Sequence, residues 1–270
     1  MKTLNTKLTW LFAGALILSA SPAMAQIVGS QHDLSSGGTS QNSGSSTDQV
    51  CVFCHTPHGG ETSEKALPLW NKTLPDGTGY TRYSTTGTPS FDSTEADVGS
   101  VSLACLSCHD GTQAMDSVIN LPGSGGWVAS GSNIDLGGIM TGVPVPMLGT
   151  DLSDDHPISI PYAAGGCLAT DTDGECTATL GDADFFNPWK ATINSQPVWW
   201  VNTDDGASTA REKLDLPLYT RLENATAEPF VECGSCHDPH NEGSSGATTV
   251  AFLRTTNNAG SKICVACHNK

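Results

Sequence analysis

The chain has 270 residues, with 12 Lys+Arg against 28 Asp+Glu, a formal net charge of -16, and 37% hydrophobic residues. That acidity excludes a nucleic-acid-wrapping role, which needs Lys and Arg on phosphates, and charged residues at 15% are too few for a disordered polyelectrolyte. The apolar content is thin for a core of this length, so the 10 Cys and 8 His point to bound groups that add apolar surface.

In chain order, Lys2 and Lys7 flank the start of an apolar run, Leu8 to Ala20, followed by Ala23-Met24-Ala25. This pattern predicts a signal peptide over residues 1–25, cleaved to leave Gln26 first. The run is too short to span roughly 30 Å of hydrocarbon, and no later stretch approaches 18 apolar residues. Residues 26–270 are therefore expected as one exported, soluble domain, extracellular or at the cell surface, with the periplasm as the alternative. Without Lys2 and Lys7, ten bases face 28 acids, a charge of -18. Residues 35–47 are nearly all Ser, Gly, Thr, Asn and Gln, which reads as a flexible segment. Glycine and proline recur and long amphipathic periodicity is absent. The pattern predicts mostly coil and turns, with short helices near Thr209–Leu214 and after some Cys motifs, and a short strand at Pro197–Val201. Trp70, Trp127, Trp189, Trp199 and Trp200 are expected to pack on porphyrins or in ordinary hydrophobic sites.

Cys-x-x-Cys-His occurs four times: Cys51/Cys54/His55, Cys105/Cys108/His109, Cys233/Cys236/His237 and Cys264/Cys267/His268. We number these motifs one to four. The spacing is the c-type haem attachment pattern. Two thiols three residues apart reach the two vinyl groups of one haem, and the adjacent His lies on one side of the porphyrin as proximal iron ligand. A single copy also suits zinc or redox thiols; four copies in an exported chain do not. The expected fold is thus a multihaem cytochrome c, mostly coil with short helices and few strands, wrapped around four haems.

Subtraction leaves His32, His58, His156 and His240 as candidate distal ligands for four bis-histidine haems. Met115, Met140 and Met147 compete on chemistry but read as packing residues. Cys54-His55-Thr56-Pro57-His58 parallels Cys236-His237-Asp238-Pro239-His240. Residues three apart cannot occupy opposite faces of one porphyrin, so His58 and His240 are expected to serve neighbouring haems, the second and the fourth. His32 and His156 then fall to the first and third. Cys167 and Cys176 are expected to form a disulfide. The turn Asp171-Thr172-Asp173-Gly174-Glu175 between them resembles a fragment of a calcium loop, without its full spacing.

With every distal position taken, the expectation is electron hopping between close haems, not enzymatic turnover. A multihaem reductase needs an open iron position, which the histidine balance does not leave. Histidine ligation also favours ferric iron and low potentials.

The four motifs, the two Cys-His-x-Pro-His phrases (54–58 and 236–240), the sparse secondary structure and the export signal resemble outer-surface tetrahaem cytochromes of the OmcE type, over essentially the whole mature chain. The resemblance implies haems stacked continuously across subunits of an extracellular filament, with a distal histidine donated by the neighbouring subunit. His32 is the candidate, since a flexible segment follows it. It also implies other multihaem cytochromes and external acceptors such as metal oxides as partners. A monomeric periplasmic shuttle is the alternative. The acidity predicts salt-dependent assembly.

Overall fold

The pattern of aromatic and β-branched residues between 189 and 231 builds the largest element. The computed structural model describes residues 27–43, 47–64, 67–83, 91–121, 138–140, 147–203, 210–223, 226–240, 252–255 and 261–269. The expected signal peptide, Trp127 and Thr209 lie outside them. Six strands form one antiparallel sheet: β1 (Ile160–Pro161), β2 (Gly174–Glu175), β3 (Trp189–Ile193), β4 (Gln196–Val201), β5 (Leu216–Glu223) and β6 (Thr226–Val231), in the order β1-β6-β5-β4-β3-β2. Strands β2 to β6 run as a meander, and β1 closes the far edge beside β6. The β3–β4 hairpin turns at Asn194 and Ser195, both at positive φ (49° and 62°), the conformation a two-residue hairpin of matching twist requires.

This sheet corrects the coil-dominated fold expected from sequence. Proline hid it. The strand expected at Pro197–Val201 is β4, but Pro217 and Pro229 interrupt the pattern of β5 and β6, and a proline argues against a central strand. The sheet is strongly staggered, however. β4 pairs β3 through Gln196–Trp200 but β5 only from Trp199, β5 pairs β4 through Leu218 and β6 from Tyr219, and β6 meets β1 only from Phe230. Each proline therefore sits where its strand is bonded on one side only, and its missing N–H can face away from the ladder.

Adjacent strand residues point to opposite faces, and on β4 both faces are covered: Trp199 and Trp200 are buried. Trp199 and Val201 pack with their register partners Leu218 and Leu216, and with Ile160, Tyr162, Val231 and the Cys167–Cys176 pair. Those two cysteines are bonded as a disulfide, with Cα atoms 6.1 Å apart. Phe185, Ile263, Ala266 and Cys267 pack on the same cluster, which seats motif four on the sheet.

Three short helices carry motifs, rather than following them: α1 (Ser100–His109) ends in motif two, α2 (Cys233–Cys236) is motif three, and α3 (Lys262–Val265) opens motif four. Motif one lies in a turn, and residues 210–214 are not helical. Tyr80, Val98, Leu103, Leu106 and Leu152 pack around α1; Val52 and Phe53 pack with Leu34, Val118 and Leu121 under motif one. Among the described residues no helix is long and apolar enough to cross a membrane.

Glu232 ties these parts together. It precedes α2 and forms a reciprocal cap: its side chain accepts from the Ser235 N–H, and Ser235 Oγ accepts from the Glu232 N–H at 3.1 Å, which satisfies donors a helix start leaves free. Its carboxylate also takes Ser102 Oγ of α1 at 2.5 Å, Ser159 Oγ at 3.1 Å and Arg221 of β5 at 3.4 Å. Gly234 fits beneath the sheet because a Cβ there would meet the Tyr219 hydroxyl at 2.5 Å.

Truncating Trp199 to Ala should cost about 3–5 kcal/mol, as for other buried aromatic residues, and lower the thermal midpoint followed by far-UV circular dichroism. Burial pushes the Glu232 carboxyl up to about 7, from an ordinary 4.5, against its hydroxyl and Arg221 contacts. The folded chain then holds a proton that the unfolded chain releases, so stability falls as pH rises from about 4.5 to about 7. Glu232→Gln should lack this loss. Its unfolding free energy should gain on that of the unsubstituted protein between pH 5 and pH 8, by on the order of 2 kcal/mol, read from denaturant titrations at the two pH values.

Candidate haem-attachment sites

The backbone of each motif is fixed by local hydrogen bonds. The His55 N–H donates to Cys51 O at 2.8 Å, His237 N–H to Cys233 O at 3.0 Å and His268 N–H to Cys264 O at 3.0 Å. In motif two, α1 supplies the same turn. Each motif thus presents its two thiols and its histidine together, as attachment of one planar group demands. None of the eight motif cysteines forms a disulfide.

Successive motifs are neighbours. Cys54 and Cys108 lie close enough for their charges to act on one another, Cys105 and Cys233 share a side-chain hydrogen bond, and Cys236 lies within the same electrostatic reach of Cys264 and Cys267. The attachment points therefore run one–two–three–four. The Ser102 Oγ bond to the Cys233 N–H, 3.0 Å, locks α1 to α2 between motifs two and three.

The spare histidines meet the motif histidines across gaps. The ring centroids of His55 and His240 stand 6.0 Å apart, those of His32 and His109 6.2 Å, and those of His156 and His268 6.4 Å. Two metal–imidazole bonds of about 2 Å, plus the reach from each nitrogen to its ring centre, separate centroids by about 6 Å. The planes are near-parallel in the first pair (16°) and crossed in the others (85° and 70°), and both arrangements can aim two nitrogens at one metal.

The ring nitrogens fit the same role. His55 Nδ1 lies 3.1 Å from Pro68 O and His156 Nδ1 3.0 Å from Pro157 O. A carbonyl only accepts, so each Nδ1 carries the proton and Nε2 keeps the lone pair a metal needs. His240 Nδ1 is 3.6 Å from the Asp238 carboxylate. Burial, helped by the charges of His109, His240 and His237, holds His32 down to about 4, which keeps its ring neutral.

Large apolar side chains are exposed beside the motifs: Leu69, Met147, Phe186 and Val265. Leu69 O accepts from the Thr56 N–H, the Leu148 N–H donates to His109 O, and the Phe186 N–H donates to Cys267 O. Apolar surface at these points suits a covering porphyrin. The donor set, its spacing and this surface all fit haem c.

The pairings differ from the sequence expectation. His240 reaches motif one rather than motif four, and His32 and His156, expected at motifs one and three, stand beside motifs two and four. His58 is exposed near its own motif, where its carbonyl takes Thr56 Oγ1 at 3.0 Å and Asn120 Nδ2 at 3.2 Å. The reason is the path of the chain. Motif three sits against α1 through Glu232 and Cys233, so the segment after it folds toward motif one instead of continuing to motif four. Met115 and Met140 are buried, as packing residues should be, whereas Met147, expected to pack as well, is exposed. Trp70 packs edge-on against His55, with ring centres 5.9 Å apart.

The acidic turn does not fit calcium. Asp173 already accepts from Lys190 Nζ, Thr192 Oγ1 and the Thr192 N–H, and Asp171 from the Leu168 N–H. Cys167, Asp171 and Cys176 cluster, but both sulfurs are spent in the disulfide. Sequence reasoning missed Glu232, which shows only as a residue before a motif, and Lys72. It also missed the carbonyls of Pro68 and Pro157, which carry no side-chain pattern.

Residues 228–270, which contain motifs three and four, match the family described as the doubled CXXCH motif. No curated protein matches the chain. The doubled motif supports haem c binding of the multihaem cytochrome kind, and with it a cytochrome-like role in electron transfer.

Proposed function

We propose that the chain is an electron-transfer protein, and not an enzyme, in which each of the four motifs holds one haem c. The observation that carries this reading is the set of three histidine pairs at 6.0, 6.2 and 6.4 Å. Cys51/Cys54, Cys105/Cys108, Cys233/Cys236 and Cys264/Cys267 would form the thioethers. His55, His109, His237 and His268 would be proximal ligands. His240, His32 and His156 would be the distal ligands for motifs one, two and four, and His58 remains by count for motif three. When bound, each haem exchanges one electron as its iron alternates between ferric and ferrous states.

The residues around the sites support transfer over substrate chemistry. At motifs one, two and four the paired histidines would leave no position for a substrate. The Pro68 and Pro157 carbonyls hold their imidazoles in one tautomer, so the ligand geometry need not change with oxidation state. The neighbouring attachment points keep successive sites close.

Assembly is the finer part of the proposal. Exported copies would join end to end as an extracellular conduit to external acceptors. His58 suits donation to a neighbouring copy better than His32, because His58 is exposed while His32 Nδ1 is enclosed between His109 and Phe252. The formal charge would make such contacts depend on screening.

The secreted protein should carry four haems per chain by mass and by pyridine haemochrome assay; two would sink the reading. His156→Ala should convert one haem to a high-spin form, seen by electron paramagnetic resonance, and leave the others unchanged. Electron microscopy should show filaments that His58→Ala reduces to monomers. Intact filaments of that variant would remove His58 from the exchange, and sedimentation of the unsubstituted protein as a monomer would favour a periplasmic shuttle. Carbon monoxide binding to the reduced protein would contradict closed coordination.

A further inference from the structure

Lys72 is completely buried. Its ammonium donates to three backbone carbonyls, Ala114 at 2.8 Å, Ser117 at 3.1 Å and Met115 at 3.3 Å. These use all three protons an ammonium offers. Among the described residues no carboxylate pairs with it. Its ammonium is thus enclosed in the protein with backbone carbonyls as its hydrogen-bond partners among the described residues, where desolvation makes an unneutralised charge costly.

Its position is specific. The next residue back, Asn71, donates its N–H to Cys54 O at 2.9 Å and its side-chain amide to Val52 O at 2.6 Å. The three carbonyls belong to the loop that follows motif two. Lys72 therefore bridges motif one and motif two. Motif three offers the contrast. The cation there, Arg254, is paired with Asp238 at 3.2 Å.

We propose that Lys72 is a fixed internal cation that raises the reduction potentials of the haems attached at motifs one and two above those at motifs three and four. The inference rests on the haem reading above. Its sign follows from charge: ferric haem carries one more positive charge than ferrous haem, so a nearby cation favours the reduced state. Lys72 acts as a tuning residue, since its protons are all held by carbonyls and none is left for a ligand.

The test is a spectroelectrochemical titration of the full, haem-loaded chain, after a haem assay. Lys72→Met removes the charge at similar length. Lys72→Gln removes it and keeps amide donors for the carbonyls, which guards against loss of folding. Either should lower two of the four potentials by about tenfold in the reduction equilibrium, ~59 mV for one electron, and leave two unmoved. Lys72→Arg should preserve all four. A melting temperature that falls with unchanged potentials would show a purely structural role and overturn the proposal. In the unsubstituted protein, the gap between the two higher and two lower potentials should persist from low to 1 M salt, because buried charges are screened far less than exposed ones; closure of that gap would also overturn it. A haem count below four would instead defeat the functional reading beneath it.

Discussion

Two imidazoles that face each other across a metal-sized gap constrain everything around them. His55 and His240, His32 and His109, and His156 and His268 must be held about 6 Å apart, although each pair joins distant parts of the chain. Neither ring can drift, so the segments that carry them must be pinned elsewhere. The Pro68 and Pro157 carbonyls pin two of the rings directly. Glu232 pins α2 to α1, and the sheet fixes the far side of α2 through Tyr219. The buried carboxyl is thus a structural joint between two attachment motifs.

The sheet has a plain role in this arrangement. A chain with few long helices and recurrent proline needs some rigid frame, and β3 to β6 supply it. The tryptophan pair on β4, covered on both faces, gives the frame its own core. Motif four rests on that core through Ile263 and Ala266, while motifs one and two rest on separate small clusters. Bound groups would supplement these cores rather than replace them.

Legibility followed the range of each interaction. The four Cys-x-x-Cys-His motifs were readable because their residues are contiguous in the sequence. The cysteines of the disulfide were readable because subtraction left only those two. Which histidines face one another was not readable, since it depends on how α2 folds back on α1, a long-range fact with no local pattern. Much of the sheet was obscured by Pro217 and Pro229, whose tolerance depends on a stagger that only the partner strands reveal. Lys72 gave no sign at all: one lysine beside an asparagine looks like surface until its three carbonyls are seen.

The crossing of His240 to motif one has a consequence in time. His55 sits early in the chain and His240 late, so the two faces of that first site cannot meet until nearly the whole polypeptide has been delivered. Contacts between such distant residues form slowly. If haem c is captured by the thiols of motif one before that contact forms, the group would be held covalently while its second face is still open.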